Sequence, residues 1–536
     1  MKRSMRSMVS LVVSSAFILS IVSACSSGTT ENTNPKTEAV NANKPAAKIS
    51  IWTGLNVNAA VTVKNYNEIL GIQEWQKRTN VNFEFTHPAV GTEAEQLNLL
   101  LASNNLPDAF MIVADQFPGG LTKAYNDGVI IKLNDLIDKY APNLKKVMAD
   151  NPEVAKQIKA DNGDIYALPH LRTGKYKTFG GMMIRQDWLD ELGLQAPETI
   201  DEWETVLRAF KEKKGAAVPL LIGAQPKLYV FGTTTPNFIE AFGTSYDYFL
   251  KNGSVKYGPM ESEYKSFLTT FQKWYKEGLI DQEFATNDSK TFDAKVTSGK
   301  AGAFFGYVGS SISKYLPALQ QTDPKAKLAA VQFPVLKKGD QPINTGRSWE
   351  WSKTGTVITK ANKHPEETVK AMDYLFSPEG ILLKNFGVEG VTYTLKDGQP
   401  VYTDLIMKNP DKLPIAQALS KYFMSSTPFV GVDDDRSLDQ TYVLQPQKDA
   451  IKLYAKYADN SLKFMLPPTS FTSDEAKEMS KISADTTTYR DEMFVKFIMG
   501  AEPIANFDKY VDQLKKFKID RGVQIQQDAY NRFKAR

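Results

Sequence analysis

The chain has 536 residues, and its 65 Lys and Arg nearly balance 61 Asp and Glu, for a formal charge of +4. That balance gives no basis for nucleic acid or an anionic membrane surface as the main partner. The single cysteine, Cys25, excludes an internal disulfide and any zinc site of cysteine spacing, so the fold must be stable through its core alone.

The N-terminus carries Lys2, Arg3 and Arg6 and then a mostly apolar run from Met8 to Val22. A basic segment followed by a short apolar one is the layout of a secretory signal, too short for a comfortable membrane span of about 20 residues. It closes in Val22-Ser23-Ala24-Cys25, which resembles a bacterial lipobox and assigns residues 1–24 to a signal peptide and Cys25 to acylation. Two acyl chains anchor a protein stably. Removal of the signal takes the charge from +4 to +1. Residues 25–47 are rich in Ser, Thr, Asn, Pro and Ala without an aromatic, the composition of a disordered tether that spans on the order of 25 Å.

Strand and helix then alternate. Lys48 to Trp52 reads as a strand, Tyr66, Ile69, Leu70, Ile72 and Trp75 share a helical face, and Val81, Phe83 and Phe85 alternate as a second strand. Thr92 and Glu95 form a capping-box pattern before a helix, and Ala109 to Val113 reads as a third strand. This βαβαβ order predicts a largely parallel sheet. A second α/β region follows, with strands at Met182–Arg185, Val218–Ile222, Ala301–Phe305 and Leu328–Phe333, and helices at Asp187–Leu192 and, behind a Thr199/Glu202 capping box, toward Lys214. Thr356 to Ile358 reads as another strand, Pro365 to Phe376 as a helix, and the last third as mainly helical.

In open α/β sheets ligands bind beyond the carboxyl ends of the strands. That rule singles out Trp52, Asp115 and Gln116 in the first region and Tyr307 in the second. Arg347-Ser348-Trp349-Glu350-Trp351 is the densest aromatic and charged cluster; in a strand Trp349 and Trp351 would face one side as a stacking platform. Tyr229 and Phe231 form a weaker pair, and Asp433-Asp434-Asp435-Arg436 reads as a solvated turn. Aromatic faces beside carboxylates and amides suit a sugar, and a near-neutral mature chain suits a short neutral oligosaccharide; acidic pectin or alginate fragments stay open as the alternative, because Lys and Arg are numerous. A surface-anchored hydrolase or lyase is the alternative, since glycoside hydrolysis requires only two spaced carboxylates. Neither a phosphate loop nor a nucleophile elbow occurs, and no cofactor is expected.

Several segments in common order resemble the extracellular solute-binding proteins of family 1, the capture subunits of ABC-type sugar importers: Leu106-Pro107-Asp108-Ala109, Gly163 to Pro169, Ile184 to Leu189, and Gly299 to Phe305. Phe386-Gly387-Val388-Glu389-Gly390 and Lys496 to Gly500 resemble the branch of large Firmicute oligosaccharide-binding lipoproteins. The resemblance implies a two-lobed, periplasmic-binding-protein-like α/β fold, each lobe a mainly parallel sheet flanked by helices, with a hinge. It implies one lobe from residues 48–175 plus about 355–395 and another from 176–354 plus about 396–536. It also implies a monomer on the outer face of the membrane that binds chito-oligosaccharide or plant-wall sugar and delivers it to permease subunits driven by a cytoplasmic ATPase. Glu389 joins the candidate residues through that branch motif. Where several relatives carry a calcium loop this chain has only Lys213 to Ala217, so calcium is not expected at that place, and no metal ligand is assigned among the site residues.

Overall fold

The computed structural model describes residues 45–89, 91–222, 236–343, 348–423 and 430–536. Cys25 and the tether up to Lys44, Tyr229 and Phe231, and Arg347 lie outside the described residues, while Ala47, expected in the tether, already belongs to the first strand.

Fourteen strands are described: β1 (Ala47–Trp52), β2 (Val81–Thr86), β3 (Ala109–Val113), β4 (Leu168–Leu171), β5 (Gly180–Arg185), β6 (Val218–Leu221), β7 (Tyr248–Lys251), β8 (Ser254–Tyr257), β9 (Ala301–Tyr307), β10 (Leu328–Val331), β11 (Trp351–Ile358), β12 (Tyr393–Lys396), β13 (Gln399–Tyr402) and β14 (Gly431–Val432). They form a six-stranded sheet in the order β14-β4-β11-β3-β1-β2, a four-stranded sheet in the order β10-β5-β9-β6, and the hairpins β7-β8 and β12-β13. The alternation of β2 is literal, with Val81, Phe83 and Phe85 buried and the residues between them exposed, because one face of this edge strand packs on the core. Each large sheet has its own apolar core. Trp75, Phe83 and Phe110 belong to the first, and Trp203, Phe271 and Trp274 to the second.

Strand direction shows where the chain changes sheets. In the six-stranded sheet β11 alone runs against its neighbours, and in the four-stranded sheet β5 does. The expectation of a mainly parallel sheet therefore needs correction in the second region: β5 is interior, so two of the three pairings there are antiparallel. The cause is topological. β4 ends at Leu171, the chain crosses, and β5 starts at Gly180 on the same rim; β10 ends, the chain crosses back, and β11 starts at Trp351 on that rim. A strand entered from the rim must run away from it. A third crossing leaves β14 after Val432 and leads to the helix Gln445–Ala455, which packs on β10. The segment from 396 onward thus contributes β14 to the first sheet before it joins the second.

Local chemistry explains most element ends. Thr199 accepts from Glu202 N while the Glu202 side chain reaches back, a complete capping box for the helix Ile200–Lys214. Gly215, with φ +63°, then turns the chain into β6. The box expected at Thr92 does not form. Its backbone is not extended, and its hydroxyl donates to Ala89 O at 2.8 Å instead. Tyr66 falls in a separate short turn ahead of the helix Leu70–Thr79. Gly181 in β5 is required by close packing: a Cβ there would lie 2.4 Å from the ring of fully buried Tyr454.

Candidate functional site

A cavity of about 750 Å³ opens at the three crossings. That size is in the usual range for small-molecule sites, roughly 300–1,000 Å³. Its rim is made of carboxyl ends of forward strands, with Tyr307 closing β9 and Asp433 following β14, and of amino ends of the reversed ones, Gly180 at β5 and Trp351 at β11.

The sequence candidates divide. Asp115, Tyr307, Trp349 and Trp351 all line the cavity. Asp115 lies in the short turn after β3 and accepts from Lys353 Nζ at 3.0 Å. Lys353 has φ +57° at an irregularity of β11 between Trp351 and Gly355, a left-handed conformation uncommon outside glycine. The irregularity turns its ammonium onto the rim. Tyr307 packs edge-on against Phe305 with ring centroids 5.5 Å apart, and burial pushes its phenol well up. Trp349 is half-buried and precedes the strand, so the one-face argument for the pair does not apply; its Nε1 donates to Leu466 O at 3.0 Å.

Three candidates stand elsewhere. Trp52 is 5% exposed and packs on Phe110 at 5.8 Å, because the last side chain of interior strand β1 points into the core rather than past the strand end. Gln116 folds back to accept from Val113 N at 3.3 Å, away from the cavity lining. Glu389 is exposed in the turn before β12 and is not part of the lining.

Sequence reasoning passed over the charged centre of the site. Asp433, read as part of a solvated turn, sits on the cavity wall. Its Oδ1 accepts from Lys384 Nζ at 2.5 Å and His170 Nε2 at 2.7 Å, and its Oδ2 from Arg172 Nε at 3.1 Å. Asp434 beside it caps the helix Asp435–Thr441 by accepting from Arg436 N at 3.0 Å. Burial raises the Asp433 carboxyl, but the surrounding cations win and hold it well below the ordinary range. Burial depresses His170 to about 4; Asp433 pulls it back up and Lys384 pushes it down again. At neutral pH Lys384 and Arg172 already balance the carboxylate, so His170 is the neutral member of the cluster.

A pH dependence follows. Unfolded, His170 takes a proton near its ordinary 6.5; folded, it does so only near 4. Between those values the unfolded chain binds more protons, so stability is lost as pH falls across the window, by roughly 3 kcal/mol at about 1.4 kcal/mol per unit. Asp433 adds nothing there, since its depressed value removes stability only below 3.8. Urea denaturation from pH 7 to 4 should show the slope, and His170→Gln should flatten it. A wild-type profile already flat there would mean that His170 is charged in the native protein.

With the geometry in view, comparison with known proteins identifies the family. The model described as bacterial extracellular solute-binding protein matches residues 62–381, more than half of the chain. The chain belongs to the bacterial extracellular solute-binding proteins. Among relatives of this solute-binding protein, the fructooligosaccharide ABC transporter substrate-binding protein FusA of Streptococcus pneumoniae serotype 4 is 25% identical over 542 residues, covering 96% of each chain. Lipoprotein LipO of Bacillus subtilis strain 168 is 28% identical over 459 residues, 82% of this chain and 84% of the relative. The crystal structure of the alginate-binding protein AlgQ2 without calcium ion superposes with TM-score 0.78 at 28% identity, covering 91% of this solute-binding protein and 98% of that chain. The two-domain α/β architecture is shared with these proteins.

Proposed function

We propose that this protein is the capture subunit of an ABC-type importer and binds a short oligosaccharide between its two sheets. The observation that carries this reading is the cavity itself, where aromatic faces (Phe179, Tyr307, Trp349, Tyr442) stand beside hydrogen-bonding side chains (Asp433, Asn385). Rings cover the apolar C–H faces of a sugar while oxygens and amides take its hydroxyls. The relatives support a sugar, and their names span fructooligosaccharide and alginate.

The mechanism proposed is closure. Residues from both sheets supply the wall, so only an approach of the two completes the contacts, and the ligand shifts the population toward that state. Delivery to a membrane permease, with energy from a separate ATPase, follows from the family reading. Acylation at Cys25 would hold the protein on the outer membrane face, consistent with the relative named as a lipoprotein. No helix among the described residues is long and apolar enough to cross a membrane.

An oligosaccharide panel read by thermal shift and small-angle scattering tests this. The cognate sugar should raise the melting temperature by mass action and shrink the radius of gyration. Trp349→Ala should weaken that sugar by roughly 1–3 kcal/mol, by analogy with stacking on aromatic side chains, with the ligand-free melting temperature little changed. Stabilisation by peptides or amino acids alone would overturn the sugar reading, release of reducing ends would move it to a hydrolase, and an unchanged radius at saturation would overturn closure.

A further inference from the structure

The chain as a whole is slightly basic, but the described lining of the cavity has the opposite sign. Among the described residues, Asp115, Glu240, Asp247, Asp433 and Asp434 line it against only two cations, Arg172 and Lys353. Both cations are engaged by carboxylates of the same wall, Arg172 by Asp433 and Lys353 by Asp115.

Three further cations hold carboxylates of the wall from outside the lining. Arg490, with 5% of its side chain exposed, donates to Asp247 Oδ2 at 2.9 Å. Lys384, with 1% exposed, holds Asp433, and Arg436 NH2 grips Asp434 Oδ2 at 2.6 Å. None of these three lines the cavity. A ligand therefore meets the oxygen side of each pair, and the paired cations keep those oxygens in place as acceptors.

We infer that this site selects uncharged oligosaccharides and rejects those that carry uronate carboxylates, with Asp247, Asp433 and Asp434 as specificity-determining residues. The inference rests on the oligosaccharide reading above. A sugar hydroxyl donates to a carboxylate oxygen in a charge-assisted hydrogen bond. A uronate brings a second negative group to the same oxygens, with no donor of its own at that position, and the repulsion is poorly screened in a cleft. Accepting it would require a wall cation to leave its present carboxylate, which strands that carboxylate in turn.

Matched sugars isolate the charge from the shape. Galacturonan oligomers and their fully methyl-esterified forms, and mannuronan and mannan oligomers, would be titrated calorimetrically at low and high salt. In each pair that binds, the uncharged member is expected to bind at least roughly tenfold tighter, with the gap narrowing at high ionic strength. Asp247→Asn with Asp434→Asn should close most of that gap by raising affinity for the acidic member; asparagine keeps the helix cap at 434. If the double variant does not fold, Asp247→Asn alone serves, since that side chain is 58% exposed. Equal or tighter binding of the acidic members overturns the inference and leaves sugar capture intact. A gap that survives in the folded variant overturns the assignment to these residues. No binding by any member overturns this inference, while the sugar reading itself stands or falls with the oligosaccharide panel above.

Discussion

Trp351→Ala is expected to lower the unfolding free energy by about 3–5 kcal/mol, the range for deleting a buried indole from a core. Trp351 opens β11, pairs across to Leu171 and is 7% exposed. Its indole belongs to the first sheet's core, its Nε1 donates to Thr354 O at 2.8 Å, and its backbone N–H donates to Gln157 Oε1 at 2.9 Å. With so little of it exposed, most of the residue lies beneath the wall, and its truncation empties space there. Trp349, two residues earlier, differs in being half-buried and outside the strand. The pair should therefore separate in urea denaturation and ligand titration, Trp351→Ala falling in stability and Trp349→Ala in affinity. A stability loss under about 1 kcal/mol for Trp351→Ala, with a large loss of affinity, would make Trp351 a stacking surface rather than a core residue.

Lys384→Met should cost a similar amount, about 3–5 kcal/mol at pH 7, because removing one member of a buried ion pair strands the other. Methionine replaces the stem but not the ammonium, and Asp433 keeps only Arg172, whose side chain is 31% exposed, and His170. The loss should change with pH in a diagnostic way. Lys384 is one of the charges that hold His170 down, its Nζ lying 3.5 Å from Nε2. Without it the imidazole becomes the available cation and its proton affinity rises. In the wild type stability falls with acidity between 6.5 and about 4. In the variant that slope should flatten, and it should reverse if the folded value passes 6.5, because a raised group stabilises below its unfolded value and loses that contribution as pH rises through its folded one. An unaltered slope in Lys384→Met would show that His170 does not respond to this charge.

The strands of the first sheet were legible because their periodicity is local. Val81, Phe83 and Phe85 announce β2 from six residues of sequence. The strand-end rule likewise reached Asp115 and Tyr307. It failed at Trp52 because it places a residue along the sheet without saying whether the last side chain points into the core or past the edge. The capping pattern succeeded at Thr199 and failed at Thr92 for a similar reason, since the motif specifies residue types but not the extended backbone that brings the hydroxyl to the third amide. Asp433 was out of reach for another cause. The strand just before it, β14, is two residues long, too short for any periodicity, and the partner of Asp433, His170, is 263 residues away. The charge on an aspartate in a run of three gives no sign of which one faces a buried lysine.

The reversed position of β11 also bears on how such a chain can be made. Three neighbouring strands of the first sheet, β2, β1 and β3, lie within the first 113 residues, but the open side of β3 is filled only by β11, and the far edge only by β14 at residue 432. A chain that emerges N-terminus first must therefore hold an uncapped strand edge and half a core through the synthesis of more than two hundred residues. Pairings of such sequence separation form slowly and expose sticky edges meanwhile. In this member of an extracellular family the topology favours late closure: the first sheet is complete only when the chain up to Val432 is available to pair with β4.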